Sequence, residues 1–473
     1  MLRYTQGWRW KSKHESFEEL KSDVFAVVNT WSAYVTIADA DLIKEAASRR
    51  VEIPKPTQEY RAFNIFGSNI LTTEGDEWRK HRKIVSPHFS ETNNLLVHHE
   101  TQRLVAEMCE EWETTAVRAP DSPDEFQVNV SQDMSRLTLF VFSAAGFGRK
   151  FSWSVRDQPD EGHRYSFEQV IGLVLKNLAL NFFLPKWIFK LPIDPFRTIG
   201  RQFDEFEQYV RRMARQAQDQ VSEKPDNLLE AIVGASVQDD EHNAVRLTED
   251  EVVGDIFIFL LAGHDTTATT LTFALTLLGF HRDKQERLYQ EVVGHLAASN
   301  GDGDGDGISD SDGAAATASY KDCSSIEYVS AIMNETLRLF PPVTSVFKVC
   351  EVDQNLGGYW IPKGTRVDLN AVGLHYNRRY WGPDPAEFRP ERFLPPNTWN
   401  RAALIPFSAG ARSCVGKRFS QVEFAAALVH LVQRYEWRVA PGVSEACLQE
   451  ASGIILKMKR PPPILFKRRS TAQ

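Results

Sequence analysis

Cysteine is scarce and scattered: five in 473 residues, Cys109, Cys323, Cys350, Cys414 and Cys447. The odd total and the absence of any CxxC pair exclude a disulfide framework and a cysteine-based zinc site. A reducing compartment follows, and a cysteine that works as a thiolate must do so alone. Positive charge is not in excess either. Lys and Arg number 55 against 63 Asp and Glu, a formal net charge of -8, so a surface built to bind nucleic acid is not expected. No signal peptide and no run of about 20 uncharged apolar residues opens the chain. The nearest approach to a membrane span, 170–189, is interrupted by Lys176, Asn177, Asn181, Pro185 and Lys186. It reads as a partly buried helix followed by an apolar loop. Glycine-rich phosphate loops are missing too, so the chain carries no flavin or dinucleotide fingerprint of its own.

Hydrophobic residues make up 42% and charged residues 25%, ordinary globular usage that supports a sizeable core. No Pro/Gly/Ser-rich linker divides the chain, so 1–473 is expected to form a single domain. Helical periodicity dominates, with strand-like runs near the N-terminus, between Val349 and Leu369, and near the C-terminus. The fold class is therefore mainly α with small β-sheets. A hairpin is expected where Tyr359-Trp360-Ile361 and Thr365 to Leu369 flank Pro362-Lys363-Gly364. The strongest helix starts at Thr248, with Glu251 completing a capping box, and runs apolar through Leu278. About 30 residues would make a rod of about 45 Å. In its middle lies a polar break, Ala262-Gly263-His264-Asp265-Thr266-Thr267. Residues 299–319, rich in Gly, Asp, Ser and Ala, cannot bury enough apolar area to order themselves and read as a disordered insertion. Asp302, Asp304, Asp306 and Gly307 imitate the start of a calcium loop, but the twelfth position is Gly313 rather than Glu.

The sharpest signal is Phe407-Ser408-Ala409-Gly410-Ala411-Arg412-Ser413-Cys414-Val415-Gly416, followed by a helical pattern through Phe419, Val422 and Phe424. A cysteine in a glycine-flanked turn before a helix has its thiolate stabilised by backbone N–H groups and the helix dipole. Gly410 and Gly416 let backbone approach a flat ligand, Phe407 can cover the sulfur, and Arg412 can neutralise a carboxylate.

This run resembles the heme-binding loop of the cytochrome P450 family, Phe-x-x-Gly-x-Arg-x-Cys-x-Gly, a pattern expected by chance in about one in ten thousand chains of this length. Three further matches follow in family order. Trp78-Arg79-Lys80-His81-Arg82 is similar to the family's Trp-x-x-x-Arg helix. Ala262 to Thr267 is similar to its oxygen-activation motif in the long central helix. Glu335-Thr336-Leu337-Arg338 is similar to its Glu-x-x-Arg helix, with Arg392 in Phe388-Arg389-Pro390-Glu391-Arg392-Phe393 as partner.

The resemblance implies the large helical P450 domain, heme b as cofactor, and Cys414 as the iron's axial ligand. It implies that Trp78, Arg82 and Arg412 reach the heme propionates. Relatives commonly place a further propionate-binding Arg where Lys348 stands, and Lys brings a point charge without the bidentate fork. It implies that Asp265 and Thr266 relay protons to dioxygen in a dry pocket. A plainer reading lets Thr266 bond back to a helix carbonyl and bend the rod. Glu335, Arg338 and Arg392 would form a buried charge network, while Ala262 and the stretch Val343, Thr344 and Ser345 would line the substrate side.

The implied activity is insertion of one oxygen atom from O2 into an apolar organic substrate such as a lipid or terpenoid. Electrons would come from an NADPH-dependent flavoprotein reductase docking on Arg79, Lys80, Lys83, Lys417 and Arg418. Peroxide rearrangement or direct peroxide use, without a reductase, is the alternative, and a non-enzymatic heme sensor is third. Microsomal relatives carry a membrane helix before this point. None is seen here, so a shortened N-terminus is expected, whether natural, processed or set by where the sequence was taken to start. The family places such enzymes on the cytoplasmic face of the endoplasmic reticulum. Phe182, Phe183, Leu184, Trp187, Ile188 and Phe189 either dip into a bilayer as a peripheral contact or pack in the core.

Overall fold

The computed structural model describes residues 6–28, 33–119, 122–154, 158–219, 227–237, 246–299, 318–449, 451–452 and 455–470. The chain gathers into two compact units. One comprises Met1–Pro56, Thr101–Ser135 and Thr266–Gln473, the other Thr57–Glu100 and Arg136–Asp265. Helices dominate in both, as the periodicity predicts.

The first unit holds the sheets. Val24–Val28, Ala33–Ile37, Arg366–Leu369 and Val346–Val349 lie side by side in that order. The middle pair runs parallel in the register Tyr34↔Arg366 to Ile37↔Leu369. Ile37, Val367 and Leu369 enter a core shared with Ile43, Ile53 and Leu374, while Asp368, which points to the opposite face, is buried as well. A second sheet orders Val117–Ala119, Ser122–Val128, Ile464–Arg468 and Tyr435–Val439.

The expected hairpin is corrected. Tyr359–Ile361 pairs instead with Gln354–Leu356, in the register Leu356↔Tyr359, so the two-residue loop is Gly357-Gly358. Both glycines have positive φ, 57° and 89°, the backbone that a tight hairpin turn demands. The Pro362–Gly364 turn does form, with Thr365 N–H donating to Pro362 O at 3.2 Å. It redirects the chain into the four-stranded sheet rather than folding it back.

The long helix runs Glu249–Phe280, 32 residues. Thr248 N–H donates to Glu251 Oε2 at 2.8 Å and Glu251 N–H to Thr248 Oγ1 at 3.2 Å, which closes the capping box. It is long and apolar enough to cross a membrane, yet 83% of its most apolar stretch is buried, the mark of a core rod. Residues expected as helix then loop at 170–189 form the helix Phe167–Phe183 and a single turn Lys186–Lys190. Ser166 and Gln169 cap that helix reciprocally. In the turn, Trp187 is 61% exposed while Phe189 is buried.

Residues 300–317, most of the expected insertion and all of its calcium-like run, lie outside the described residues. Their flanks are fixed by one carboxylate. Asp322 accepts from Ser299 Oγ at 2.8 Å, Ser319 Oγ at 2.6 Å and Ser319 N–H at 2.9 Å.

Candidate active site

The cysteine loop is shaped by two left-handed residues, Ser408 at φ 61° and Gly410 at φ 71°. A Cβ on Gly410 would come within 2.7 Å of Ala47 O, so a side chain there is excluded by conformation and by space. Cys414 N–H donates to Phe407 O at 2.9 Å and Ser413 N–H to Gly410 O at 3.1 Å. These bonds fold the loop so that Gly416 caps the 18-residue helix Lys417–Arg434. The Lys417 ammonium sits 5.8 Å from the Phe407 ring centroid.

None of the cysteines is disulfide-bonded, and Cys414 alone is exposed, whereas Cys109, Cys323 and Cys350 are buried. Burial pushes the thiols of Cys109 and Cys323 up to about 12 and that of Cys350 to about 11, which holds them protonated and inert. Cys447 is half-buried, so exposure sets Cys414 apart from the other four.

On the helix Glu327–Leu339, Glu335 and Arg338 meet Arg392. Glu335 binds Arg338 through Nε at 2.6 Å and Nη2 at 2.8 Å, and Arg392 Nε at 3.0 Å. Arg389 N–H also donates to Glu335, at 2.9 Å. Further guanidinium hydrogens go to main-chain oxygens: Arg338 to His375, Pro385 and Glu387, Arg392 to Trp381 and Glu387. A buried ion pair persists only when its spare donors are satisfied in this way.

Sequence reasoning missed His375. Ile405 N–H donates to its Nε2 at 2.9 Å, so the ring proton is on Nδ1, which donates to Arg338 O at 3.2 Å. Burial, reinforced by the Arg338 charge, pushes His375 down to about 3, and the neutral ring ties the charge network to the chain two residues before Phe407. Nothing in the spacing of a lone His at the end of the apolar run Ala371–Leu374 could have revealed it.

In the second unit, Trp78 and Arg82 stand one turn apart on the helix Gly75–Val85, with Trp78 buried and Arg82 half-buried. Between them His81 is fully buried, its Nδ1 2.6 Å from Asp255 Oδ2, and Asp255 Oδ1 accepts from Ile70 N–H at 2.8 Å. Burial pushes the Asp255 carboxyl up, opposed by its bond to His81.

The basic residues expected to form one docking face differ in availability. Lys83 and Lys417 are exposed, but Lys80 is held by Glu251 at 2.6 Å, Arg79 pairs with Asp76, and Arg418 bonds Tyr320 Oη at 3.0 Å.

The polar break of the long helix has a distinct exposure. From Val252 to Gly279 every residue is buried except Ala262, Gly263 and Thr266, which share one face because i and i+4 lie one turn apart. Asp265 is buried beside them. Thr266 offers its carbonyl to Thr270 Oγ1 at 2.9 Å, one of three such bonds with Thr272 and Thr276. His264, for which the sequence suggests no role, binds Leu260 O through Nδ1 and receives the Thr138 hydroxyl on its own carbonyl.

Of the remaining expected residues, Lys348 is buried with Nζ 3.0 Å from Ile53 O. Val343 is exposed and Thr344 half-buried. The Ser345 hydroxyl is drawn to the Asp368 carboxylate, which also takes Arg9 Nε at 2.7 Å and Thr36 Oγ1 at 3.1 Å. An exposed thiol in a glycine-formed turn before a helix start has the chemistry of a sulfur ligand to an iron porphyrin.

Residues 2–466 match the family model described as Cytochrome P450. The chain is 35% identical to Cytochrome P450 monooxygenase 124 of Postia placenta, over 97% of this chain and 88% of that protein. It is 29% identical to Cytochrome P450 monooxygenase prx9 of Penicillium rubens, over 94% and 80%. Echinocystic acid 23-monooxygenase of Saponaria officinalis is 26% identical, over 92% and 80%.

Proposed function

Because the chain belongs to the cytochrome P450 family and is thereby a heme-dependent, oxygen-incorporating oxidoreductase, we propose that it hydroxylates an apolar lipid, terpenoid or other secondary metabolite. The reaction is substrate-H with dioxygen, two electrons and two protons giving substrate-OH and water. The observation that carries the reading is Cys414 itself, exposed in a glycine-formed turn ahead of a helix while the buried cysteines are locked as thiols.

When bound, a thiolate-ligated heme supplies an iron centre oxidising enough to attack C–H bonds. The chain's own residues do the rest, working as one domain over 1–473. Cys414 is the iron ligand, Phe407 shields its sulfur, and Gly410 and Gly416 let backbone lie flat against the ring. Arg412, Arg82, Trp78 and Lys348 hold the propionates. The Thr266 hydroxyl holds a proton at the accessible strip, and Asp265, one residue back, replenishes it. Glu335, Arg338, Arg392 and His375 keep the cysteine loop in place. Ala262, Val343 and Thr344 line the substrate side, with Ser345 continuing that run.

Electrons come from an NADPH-dependent flavoprotein reductase docking on Lys83 and Lys417, with Arg79, Lys80 and Arg418 adding charge from within their ion pairs and hydrogen bonds. Residence on the cytoplasmic face of the endoplasmic reticulum, with exposed Trp187 touching the bilayer, completes the proposal.

The test is Cys414→Ser. The reduced, carbon monoxide-bound parent should show the thiolate-type spectrum and the variant should lose it; a variant with the parent's spectrum refutes the assignment. A lipid and terpenoid library read by spin-state shifts would then find the substrate.

A further inference from the structure

Glu423 is the one acid on the helix Lys417–Arg434. Its side chain is fully buried, and neither carboxyl oxygen has a hydrogen bond of ordinary geometry among the described residues. Thr267, on the long helix, is 2% exposed, and its hydroxyl is in the same condition. The two meet: the group that acts on the Glu423 carboxyl, besides burial, is the Thr267 hydroxyl. Among the described residues no cation acts on the acid, and an uncompensated carboxylate in a dry interior is far costlier than the neutral acid. A neutral acid carries an O–H, and a hydroxyl without a partner is an acceptor for it.

We propose that Glu423 is a positioning residue for the oxygen chemistry: as a carboxylic acid it donates its O–H to Thr267 Oγ1. This fixes the turn that carries Thr266 against the helix that follows Cys414. The inference rests on the oxygenase reading above. A slip of that turn would move the Thr266 hydroxyl relative to the cysteine-side helix, and misplaced proton delivery releases peroxide instead of carrying oxygen reduction through. Burial pushes the Glu423 carboxyl well up, with Thr267 opposing, in keeping with the neutral form.

Infrared difference spectra of the holoprotein at neutral pH, parent against Glu423→Gln, should show a carboxylic-acid carbonyl band in the parent. Thr267→Val should move that band to higher frequency. Lack of the band, or a band indifferent to Thr267→Val, overturns the inference. With reductase and NADPH, Glu423→Leu should release several-fold more peroxide per NADPH than the parent, at equal heme content and with the carbon monoxide spectrum intact. Glu423→Gln, whose amide still donates, should restore the parent ratio. A Leu variant as tight as the parent, or a Gln variant as leaky as Leu, also overturns it. Thr266→Ala, expected to leak peroxide, tests the oxygenase reading separately: if it does not leak, that reading fails while the infrared shift still judges the Glu423–Thr267 contact.

Discussion

Glu335 and Glu423 are both fully buried glutamates on helices of the same unit, yet their surroundings are opposite. Glu335 lies between two guanidiniums and also receives the Arg389 N–H. Among the described residues, the polar group that acts on Glu423 is the Thr267 hydroxyl. Burial alone therefore does not settle the state of an acid; the partners do. The first is a charge whose removal strands other charges, and the second is a neutral group whose removal strands nothing charged.

That difference can be broken by matched substitutions. The largest effect belongs to Glu335→Gln, which leaves Arg338 and Arg392 without a counter-ion and should destabilise by about 3–5 kcal/mol. Denaturant unfolding of the holoprotein checks this, and a midpoint equal to the parent's would dissolve the contrast.

A smaller effect comes from the buried histidines. Burial, with neighbouring Arg charge adding, pushes His375 and His430 from 6.5 down to about 3. The unfolded chain takes up these protons and the folded chain does not, so stability is intact above 6.5 and falls as pH drops from there toward 3. Unfolding midpoints measured from pH 7 to pH 5 should decline, and less so in His430→Gln.

The smallest change, and opposite in sign to the first, is expected of Glu423→Gln. A raised carboxyl favours the folded state at low pH and loses that advantage as pH rises through 4.5 toward its folded value. At pH 7 the variant should match or exceed the parent in stability. A loss comparable with Glu335→Gln would show that Glu423 is charged and paired.

What sequence conveyed depended on whether the signal was local. The capping box at Thr248 and Glu251, the apolar rod behind it and the glycine-flanked cysteine turn all lie within a few residues of themselves, so they were legible. The hairpin was misread because the strand Arg366–Leu369 chooses a partner more than 300 positions away, Ala33–Ile37, and no turn residue encodes that. The pair Val117–Ala119 and Ser122–Val128 escaped notice because Ser, Pro, Asp and Glu open its longer strand, and these are weak strand formers. Lys80 looked like an open cation until the fold brought Glu251 to it from 171 residues away. His375 and Glu423 are single polar residues beside apolar runs, where spacing carries no message and only three-dimensional surroundings give a role.

The clasp at Asp322 bears on how this chain can vary. With Ser299 and Ser319 both anchored to one carboxylate, whatever joins them starts and finishes on the same footing. Lengthening such a connection adds only about 0.6 kcal/mol of closure entropy per doubling. The site is therefore a natural splice point, where a reporter or affinity peptide could be grafted while heme content reads whether the enzyme beneath is undisturbed.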